Sequence, residues 1–441
     1  MKYDVIVVGS GLAGLTSSYY LQKSGKKVLL LEKEKFIGGR TSSWNDNGMD
    51  IEAGFHRHIG YYKALPKLLK EVNVKLNDIV IWEKQIEIII DKDNSIILGI
   101  DPIRHPIYFL KGIFGNRKIL SFKDKISLLK LFFFGFINYI FRPGYLDNYS
   151  ILDYAKKLKI TDNIINYIIV SLSTGIFFLP SNKYSSKLFF GLFYPGIFRL
   201  FKIRIGAYKD GMSDVITNPI KKAFEKLGGT YKENIIVKDI LIENNKVIGI
   251  KIKDNIYKSN NVVLATDIYN AQNILKTVNN NNFDNILSIP TTSAITIQIE
   301  LKKRIMKYDR ATFMPNTNIA SFTEESHTTF KESKGRLSII LANPDKFLNI
   351  NDEQIYNIVV SDLKNVGINI KNLVIDYRII RHENKFYNFS FGNDLKRPSN
   401  KTYIKGLYLA GDYTRNKFYA TMEGAVLSGI NVYKIIIKEK N

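Results

Sequence analysis

The feature that most constrains this chain is a glycine-rich turn within its first 15 residues. An apolar run at 4–8 ends in the pattern Gly9-x-Gly11-x-x-Gly14, which opens a predicted helix. In such a strand–turn–helix unit the first glycine allows a tight turn. The second lets a pyrophosphate approach the backbone, and the third lets the helix pack against the strand. Since helix N-terminal amides favour phosphate charge, we predict that a dinucleotide is bound by Gly9, Ser10, Gly11, Leu12, Ala13 and Gly14.

A second apolar strand, predicted over 27–31, ends at the acidic residue Glu32. A carboxylate at this distance from the glycine turn, about 20 residues, accepts hydrogen bonds from both ribose hydroxyls, which disfavours a 2′-phosphate. The chain then continues as Lys33-Glu34-Lys35-Phe36-Ile37-Gly38-Gly39-Arg40-Thr41, where the glycines extend the phosphate site and the arginine can pair with an anionic oxygen. We therefore add six residues to the predicted site: Glu32, Lys33, Gly38, Gly39, Arg40 and Thr41.

A matching pattern lies near the other end of the chain. Residues 407–414 read as a strand followed by an acidic turn, and residues 420–429 read as the start of a glycine-containing helix. Together the two ends predict one dinucleotide held from both sides.

The length of 441 residues predicts two or three domains rather than one core. We predict that the cofactor domain is built from three pieces, residues 1–75, 206–266 and 396–441. Between them we expect a helical, aromatic region at 76–205 that faces substrate or membrane, and a substrate domain with an antiparallel sheet at 267–395.

The net charge of +23 leaves nucleic acid, an anionic membrane surface and coding bias as explanations. No nucleic-acid module is recognisable, so we expect no nucleic-acid partner. The longest apolar run, 126–141, is shorter than the roughly 20 residues that span a bilayer, and basic residues flank it. With the aromatic segment 188–205 it predicts helices lying in a membrane interface. The alternative is an ordinary core helix of the substrate domain.

The predicted location is cytoplasmic and peripheral on the membrane, because no signal peptide precedes the first strand. Cysteine is absent, which excludes disulfides and thiolate metal sites. His56 and His58 form a pair with no third ligand in view, so we predict no metal site.

The segment 32–41 and, above all, Ala410-Gly411-Asp412-Tyr413-Thr414 with Ala420-Thr421-Met422-Glu423-Gly424-Ala425 resemble the flavin amine oxidase superfamily. The chain is most similar to the plant and cyanobacterial-type phytoene and zeta-carotene desaturases and to squalene-associated FAD-dependent desaturases. Further agreement comes from segments 52–56 and 119–125 and from Asp210-Gly211-Met212, where Asp210 departs from the family's glycine.

The resemblance implies an α/β fold, with a Rossmann-like FAD-binding domain of three β/β/α layers (amine oxidase type) and an inserted α+β substrate domain. FAD would be bound non-covalently. Val237 would contact adenine through its backbone, and the segment 52–56 would run past the flavin ring. His56 and Arg57 are the candidate catalytic residues, although either can serve only to position the ring. The resemblance adds these cofactor-binding residues: Gly54, Phe55, His56, Val237, Gly411, Asp412, Met422 and Ala425.

The function that the resemblance implies is desaturation of a long apolar isoprenoid, such as phytoene or zeta-carotene, by hydride transfer to flavin. A membrane quinone is the implied electron acceptor, with oxygen as the competitor. The alternatives are hydroxysqualene dehydroxylation, protoporphyrinogen oxidation and amine oxidation. A non-enzymatic prenyl-lipid carrier on the same fold is a further alternative. The identity of the polyene, the number of bonds introduced and the oligomeric state do not follow from these residues.

Overall fold

The structure is a computed structural model that describes residues 2–253, 255–278 and 281–439. Residue 1 of the predicted segment 1–75 and residues 440 and 441 of 396–441 lie outside the described residues, as do residue 254 of 206–266 and residues 279 and 280 of 267–395. The strands, in chain order, are β1 Val5–Val8, β2 Val28–Leu31, β3 Ser43–Asp46, β4 Met49–Glu52, β5 Arg57–Ile59, β6 Val80–Trp82, β7 Gln85–Ile89, β8 Ser95–Gly99, β9 Ile205–Tyr208, β10 Thr230–Lys232, β11 Asp239–Glu243, β12 Lys246–Ile252, β13 Asn255–Lys258, β14 Val262–Leu264, β15 Thr291–Leu301, β16 Thr312–Phe313, β17 Ile319–Glu324, β18 Arg336–Leu341, β19 Val374–Tyr387 and β20 Leu407–Leu409.

The helices connect and cover these strands. In chain order they are α1 Leu12–Lys23, α2 Ala64–Glu71, α3 Leu76–Ile79, α4 Pro106–Phe114, α5 Phe122–Phe141, α6 Pro143–Asp147, α7 Ile151–Lys157, α8 Val170–Phe177, α9 Ser186–Ile197, α10 Asn218–Lys226, α11 Ile268–Thr277, α12 Asp284–Leu287, α13 Asp352–Asn365 and α14 Met422–Lys438.

A parallel sheet with the order β10-β2-β1-β14-β20 forms the centre of the molecule. Strands β1, β2, β14 and β20 are short apolar runs that are buried along their whole length, as strands covered on both faces must be. Helices α1, α10 and α14 pack together beside it. The sheet takes its strands from three separated stretches of the chain, and only β14 lies between the first strand, β1, and the last, β20. Because the pairing is parallel, the carboxyl ends of β1 and β20 lie at the same end of the sheet. The predicted Rossmann-like α/β class is confirmed.

A second sheet of seven strands, ordered β19-β15-β18-β17-β16-β7-β8, is antiparallel except where β16 meets β7. Its long central strand β15 alternates its side chains between two covered faces and is buried over nearly its whole length. Helix α13 buries Ile355, Val359 and Leu363 against one face. Strands β7 and β8 come from the chain segment between α3 and α4, so residues distant in sequence complete this sheet.

An aromatic helical layer packs against the seven-stranded sheet, where α4 contacts β8 and α8 contacts β16 and β17, and its helices α5 and α9 contact each other. Ser121 caps α5 by accepting from the Asp124 amide, and the Asp124 carboxylate accepts from the Ser121 amide in return. Gly135 allows the close approach, because a Cβ there would lie 2.1 Å from the Phe190 ring. Among the described helices, none combines the length and the apolar character needed to cross a bilayer.

Candidate functional site

A cavity of about 390 Å³ opens where the strands of the parallel sheet end. Its wall brings together residues that follow β1, β2, β14 and β20, which is where ligands of open α/β sheets bind. The wall contains most of the residues predicted from the sequence: Gly9, Ser10, Gly11, Leu12, Ala13, Glu32, Lys33, Gly38, Gly39, Arg40, Thr41, His56, Val237, Gly411, Asp412, Met422 and Ala425.

The three glycines of the first turn meet different surroundings. Gly9 has a φ of 102°, and a Cβ there would lie 2.7 Å from the Ala265 carbonyl oxygen. A Cβ on Gly14 would lie 1.9 Å from the Gly9 oxygen, so Gly14 serves helix packing and lies outside the cavity wall. At Gly11 the nearest neighbour of an added Cβ, the Gly38 oxygen, is 3.9 Å away. Gly11 therefore leaves free space in the cavity at the start of α1, where a phosphate fits.

Glu32 presents a buried carboxylate at the end of β2. One oxygen, Oε2, accepts from the Ser10 amide at 2.8 Å and from the Ser10 hydroxyl at 2.7 Å. The other accepts from the amides of Lys33 and Glu34 at 2.8 and 3.1 Å. These four donors fix the carboxylate on the cavity wall, in the position that a ribose needs.

The acidic turn, residues 411–414, reaches the cavity from the opposite end of the chain. The Asp412 carboxylate accepts from Nη2 of Arg40 at 2.6 Å. The Arg40 guanidinium also lies over the Phe386 ring, with 4.9 Å to its centroid. The Arg40 cation, the Asp412 carboxylate and the glycines of both turns thus all line the cavity.

The start of α14 forms the next part of the wall. The Thr421 side chain caps the helix by accepting from the Gly424 amide. The buried Glu423 carboxylate turns away from the cavity and accepts from the amides of Lys63, Ala64 and Leu65, at 2.7, 2.7 and 2.9 Å, where α2 begins. Met422 and Ala425 lie on the cavity wall, so Glu423 anchors the helix that presents them.

The segment 54–57 is divided between the cavity and its surroundings. His56 lies on the wall, and burial together with the nearby Arg40 and Arg57 lowers its pKa to about 4, which keeps the imidazole neutral. Arg57 lies off the wall and is paired with Glu83 and Asp309, whose charges raise its pKa against the effect of burial. Gly54 and Phe55 also lie off the wall.

The neighbouring His58 does not line the cavity, and its Nδ1 lies 3.0 Å from the Tyr208 hydroxyl. The two histidines do not converge. Among residues 2–253, 255–278 and 281–439, no group of three His, Asp or Glu side chains is arranged to hold a metal ion.

Several wall residues were missed by the sequence reasoning. Strand β19 contributes Ile380, Arg381, His382 and two residues near its end, and the turn into α11 contributes Asp267 and Asn270. His382 is fixed by its Nε2, which lies 2.7 Å from the Ala53 oxygen. The available signal was the run of charged residues on a strand at 376–385, which an exposed edge strand would explain equally well.

These features fit a dinucleotide. The wall offers a helix N-terminus with free space at Gly11, a fixed carboxylate for a ribose, and the Arg40 cation for phosphate oxygen. Two imidazoles on the wall, those of His56 and His382, have pKa values that burial lowers to about 4, which keeps both neutral. The arrangement binds and orients a cofactor that itself supplies redox chemistry.

Comparison with known proteins gives a consistent result. The family model described as flavin containing amine oxidoreductase matches residues 12–433. The 15-cis-phytoene desaturase of Solanum lycopersicum is 22% identical, with 99% of this chain and 78% of that protein covered. The zeta-carotene desaturase of Arabidopsis thaliana is 24% identical, with 97% and 84% covered. An oxidoreductase from Methanosarcina mazei superposes with a TM-score of 0.78 at 21% identity, over 98% of this chain and 100% of that one.

Proposed function

This chain belongs to the flavin-containing amine oxidoreductase family, and on that premise we propose that it desaturates a long apolar isoprenoid of the carotenoid-precursor class. It is an FAD-dependent oxidoreductase. When bound, FAD supplies the electron sink for removing hydrogen from an unactivated carbon chain. The remaining tasks fall to this chain's own residues, which must hold the cofactor, align the substrate and exclude water.

The observation that carries the proposal is a continuous aromatic layer between the cofactor cavity and the exposed side of α5. Tyr419 directly precedes the wall residue Ala420. A Cβ on Gly191 of α9 would lie 2.6 Å from the Tyr419 ring and 3.2 Å from Tyr139 of α5. Phe132 and Phe193 extend the layer, with ring centroids 5.6 Å apart. An apolar chain can be accommodated beside such rings without desolvating polar groups.

The outer side of this layer carries what we name the apolar face, a stripe of exposed side chains on α4, α5 and the end of α9. Leu129, Phe133 and Phe141 are 71%, 62% and 76% exposed. Arg104 Nη1 donates to the Phe201 oxygen at 3.0 Å, and Lys125 Nζ to the Gly115 oxygen at 2.6 Å, so the three segments are adjacent. The apolar face consists of Ile107, Leu110, Ile113, Phe114, Phe122, Ile126, Leu129, Phe133, Phe134, Ile137, Ile140, Phe141, Ile197, Phe198 and Phe201.

A membrane surface is the partner that this face fits. Aromatic and aliphatic side chains insert below the headgroups while lysines and arginines stay at their level. Exposed Lys111, Lys123, Lys130 and Arg142 lie among the apolar residues. In this proposal the protein is peripheral on the membrane and takes its apolar substrate from the bilayer. A membrane quinone removes the electrons, and oxygen is the competing acceptor.

Of the two candidate catalytic residues, we favour His56. It lies on the cavity wall as a neutral imidazole, whereas Arg57 is held off the wall by two carboxylates. We assign His56 the contact with the reacting end of the cofactor and Arg57 the support of the segment 54–57. A neutral imidazole can accept the proton that leaves the substrate carbon next to the site of hydride loss.

The test is expression in a phytoene-producing bacterial host, followed by absorption spectra of the extracted lipids. We expect new, red-shifted, finely structured polyene bands, whose positions count the double bonds added. An Asp412→Ala variant is the matched control, because it removes the partner of Arg40 and should leave phytoene unchanged. Unchanged phytoene beside a folded, yellow wild-type protein would overturn phytoene as the substrate. Zeta-carotene, hydroxysqualene and protoporphyrinogen would then be tried with the same purified protein.

A further inference from the structure

We infer that Arg397, which lies outside the cavity wall, is a positioning residue that holds the acidic turn in the shape required for FAD binding. The inference rests on FAD as the cofactor and is independent of the proposed substrate. Arg397 is 1% exposed and follows the short turn Asp394–Lys396, between β19 and β20. No sequence pattern drew attention to it.

The Arg397 guanidinium uses all of its donors. Its Nε donates to the Tyr413 oxygen at 3.3 Å, and its Nη2 donates to the oxygens of Asp412, at 3.2 Å, and of Thr414. Its Nη1 donates to the Asn416 oxygen at 3.3 Å and to Oδ1 of Asp394 at 3.2 Å. An arginine has five N–H groups in a planar fork, and five acceptors are engaged.

Four of these acceptors are backbone carbonyls within one stretch of five residues, 412–416. This stretch contains neither helix nor strand, so no regular ladder satisfies its carbonyls. Two rings confine the guanidinium, with 4.7 Å to the Tyr419 centroid and 5.9 Å to the Tyr387 centroid. Burial raises the pKa of both phenols, which keeps the rings uncharged. Arg397 therefore holds four carbonyls of this stretch with one rigid, planar group.

The turn connects Arg397 to the cavity wall. Asp412 lies on the cavity wall, and its carboxylate pairs with Arg40. The other side of the turn is fixed by Ser428, whose hydroxyl oxygen accepts from the Gly411 amide at 2.9 Å. With Ser428 on one side and Arg397 on the other, a shift at Arg397 moves the Asp412 backbone relative to Arg40. Arg397 does not contact the cofactor cavity and acts only through this turn.

The experiment compares Arg397→Lys with Arg117→Lys. Lysine keeps the charge, but it presents three donors on one atom and cannot span four carbonyls. Arg117 donates from an exposed position to one backbone oxygen, that of Phe114 at 3.2 Å, and lies outside the cavity wall, so it is the matched control. FAD is titrated into each apoprotein and followed by quenching of flavin fluorescence, well below the apoprotein's unfolding temperature. We expect Arg397→Lys to raise the Kd for FAD at least about tenfold and Arg117→Lys to leave it unchanged. A folded Arg397→Lys protein with the wild-type Kd would overturn the inference.

A second pair of variants applies if Arg397→Lys does not fold. Asp394 contacts both Arg397 and Lys187, the latter across 2.5 Å. Asp394→Asn weakens the hold on Arg397, and Lys187→Gln removes only the other contact. We expect about a threefold rise in the Kd for FAD with Asp394→Asn and none with Lys187→Gln. Equal values for the two variants contradict the positioning role. Since no substrate enters the assay, failure of the desaturation test has no bearing on this result.

Discussion

The Arg40 guanidinium and the Asp412 carboxylate are joined by a hydrogen bond of 2.6 Å, although the two residues lie 372 positions apart in the chain. Each belongs to a turn that follows its own strand of the parallel sheet, β2 or β20, and the parallel direction brings the carboxyl ends of both strands to the same end of the sheet. The pair closes the cavity between the two ends of the sequence. It therefore joins the two parts of the predicted cofactor site.

Loss of this pair should weaken cofactor binding strongly. Asp412→Ala leaves the Arg40 cation partly buried without its partner, and such unpaired groups cost about 1–3 kcal/mol or more. We expect the Kd for FAD to rise about 10- to 100-fold, measured by flavin fluorescence. Arg378→Gln is the control, because it breaks a partly exposed pair with Asp46 away from the cavity. Equal loss of affinity in both variants would show that charge alone matters.

Three glycine-to-alanine variants should give three different results. Gly14→Ala places a Cβ 1.9 Å from the Gly9 oxygen and should abolish the folded protein. Gly11→Ala meets nothing closer than 3.9 Å and should fold, but its methyl group occupies cofactor space and prevents FAD binding. Gly144→Ala meets nothing within 4 Å and should behave as wild type. Thermal unfolding of the apoproteins and the flavin content of the purified proteins distinguish the three. A yellow Gly11→Ala protein would contradict the assigned role of this glycine.

Glu423 should stabilise the fold without contacting the cofactor. Its carboxylate is the acceptor for three amides at the start of α2. Glu423→Ala leaves these buried donors unpaired, so we expect a loss of about 3 kcal/mol in the free energy of unfolding, measured with urea. Glu423→Gln, which keeps one acceptor oxygen, should lose less. Asp50→Ala serves as the exposed control and should change stability by less than about 0.5 kcal/mol.

The apolar face should govern binding to lipid vesicles. Replacing both Leu129 and Phe133 by Gln removes two large exposed side chains, each worth about 1.5–3 kcal/mol when buried. We expect at least a tenfold weaker partition onto phosphatidylglycerol-containing vesicles in a sedimentation assay. Tyr403→Gln changes a side chain that is 71% exposed on a different surface and should partition like wild type. If the double variant binds as well as wild type, this face is not the membrane contact.

Stability should fall on acidification through the buried His58. Burial and the charge of Arg204 lower its pKa to about 3, compared with about 6.5 in the unfolded chain. Between these values the unfolded state binds a proton that the native state does not, so stability is lost as the pH falls from about 6.5 towards 3. His58→Gln should reduce the dependence of the unfolding free energy on pH by about 1.4 kcal/mol per pH unit between pH 6 and 4. His105→Gln, which changes a half-buried imidazole, is the control. An unchanged pH dependence in His58→Gln would show that the pKa of His58 is the same in the native and unfolded states.

The sequence by itself determined the parts of this protein whose requirements are local. The glycine turn, Glu32 and the acidic turn carry their backbone and charge requirements in contiguous residues, and a dinucleotide site on an α/β fold followed from them. The choice of FAD followed from the family resemblance of the segments 32–41 and 410–425. A turn requires particular residue types at its own positions, so it can be recognised in a sequence without knowing which residues pack against it.

Only the tertiary structure decided which distant side chains share the cavity and which support it. Three features depend on how the two sheets pack against each other. They are the five acceptors around Arg397, the position of His382 on the cavity wall and the position of Arg57 off that wall. The residue type alone does not distinguish a buried arginine from an exposed one. Their difference lies in the acceptors around them, which come from positions far along the chain and are set by the packing of the sheets rather than by local preference.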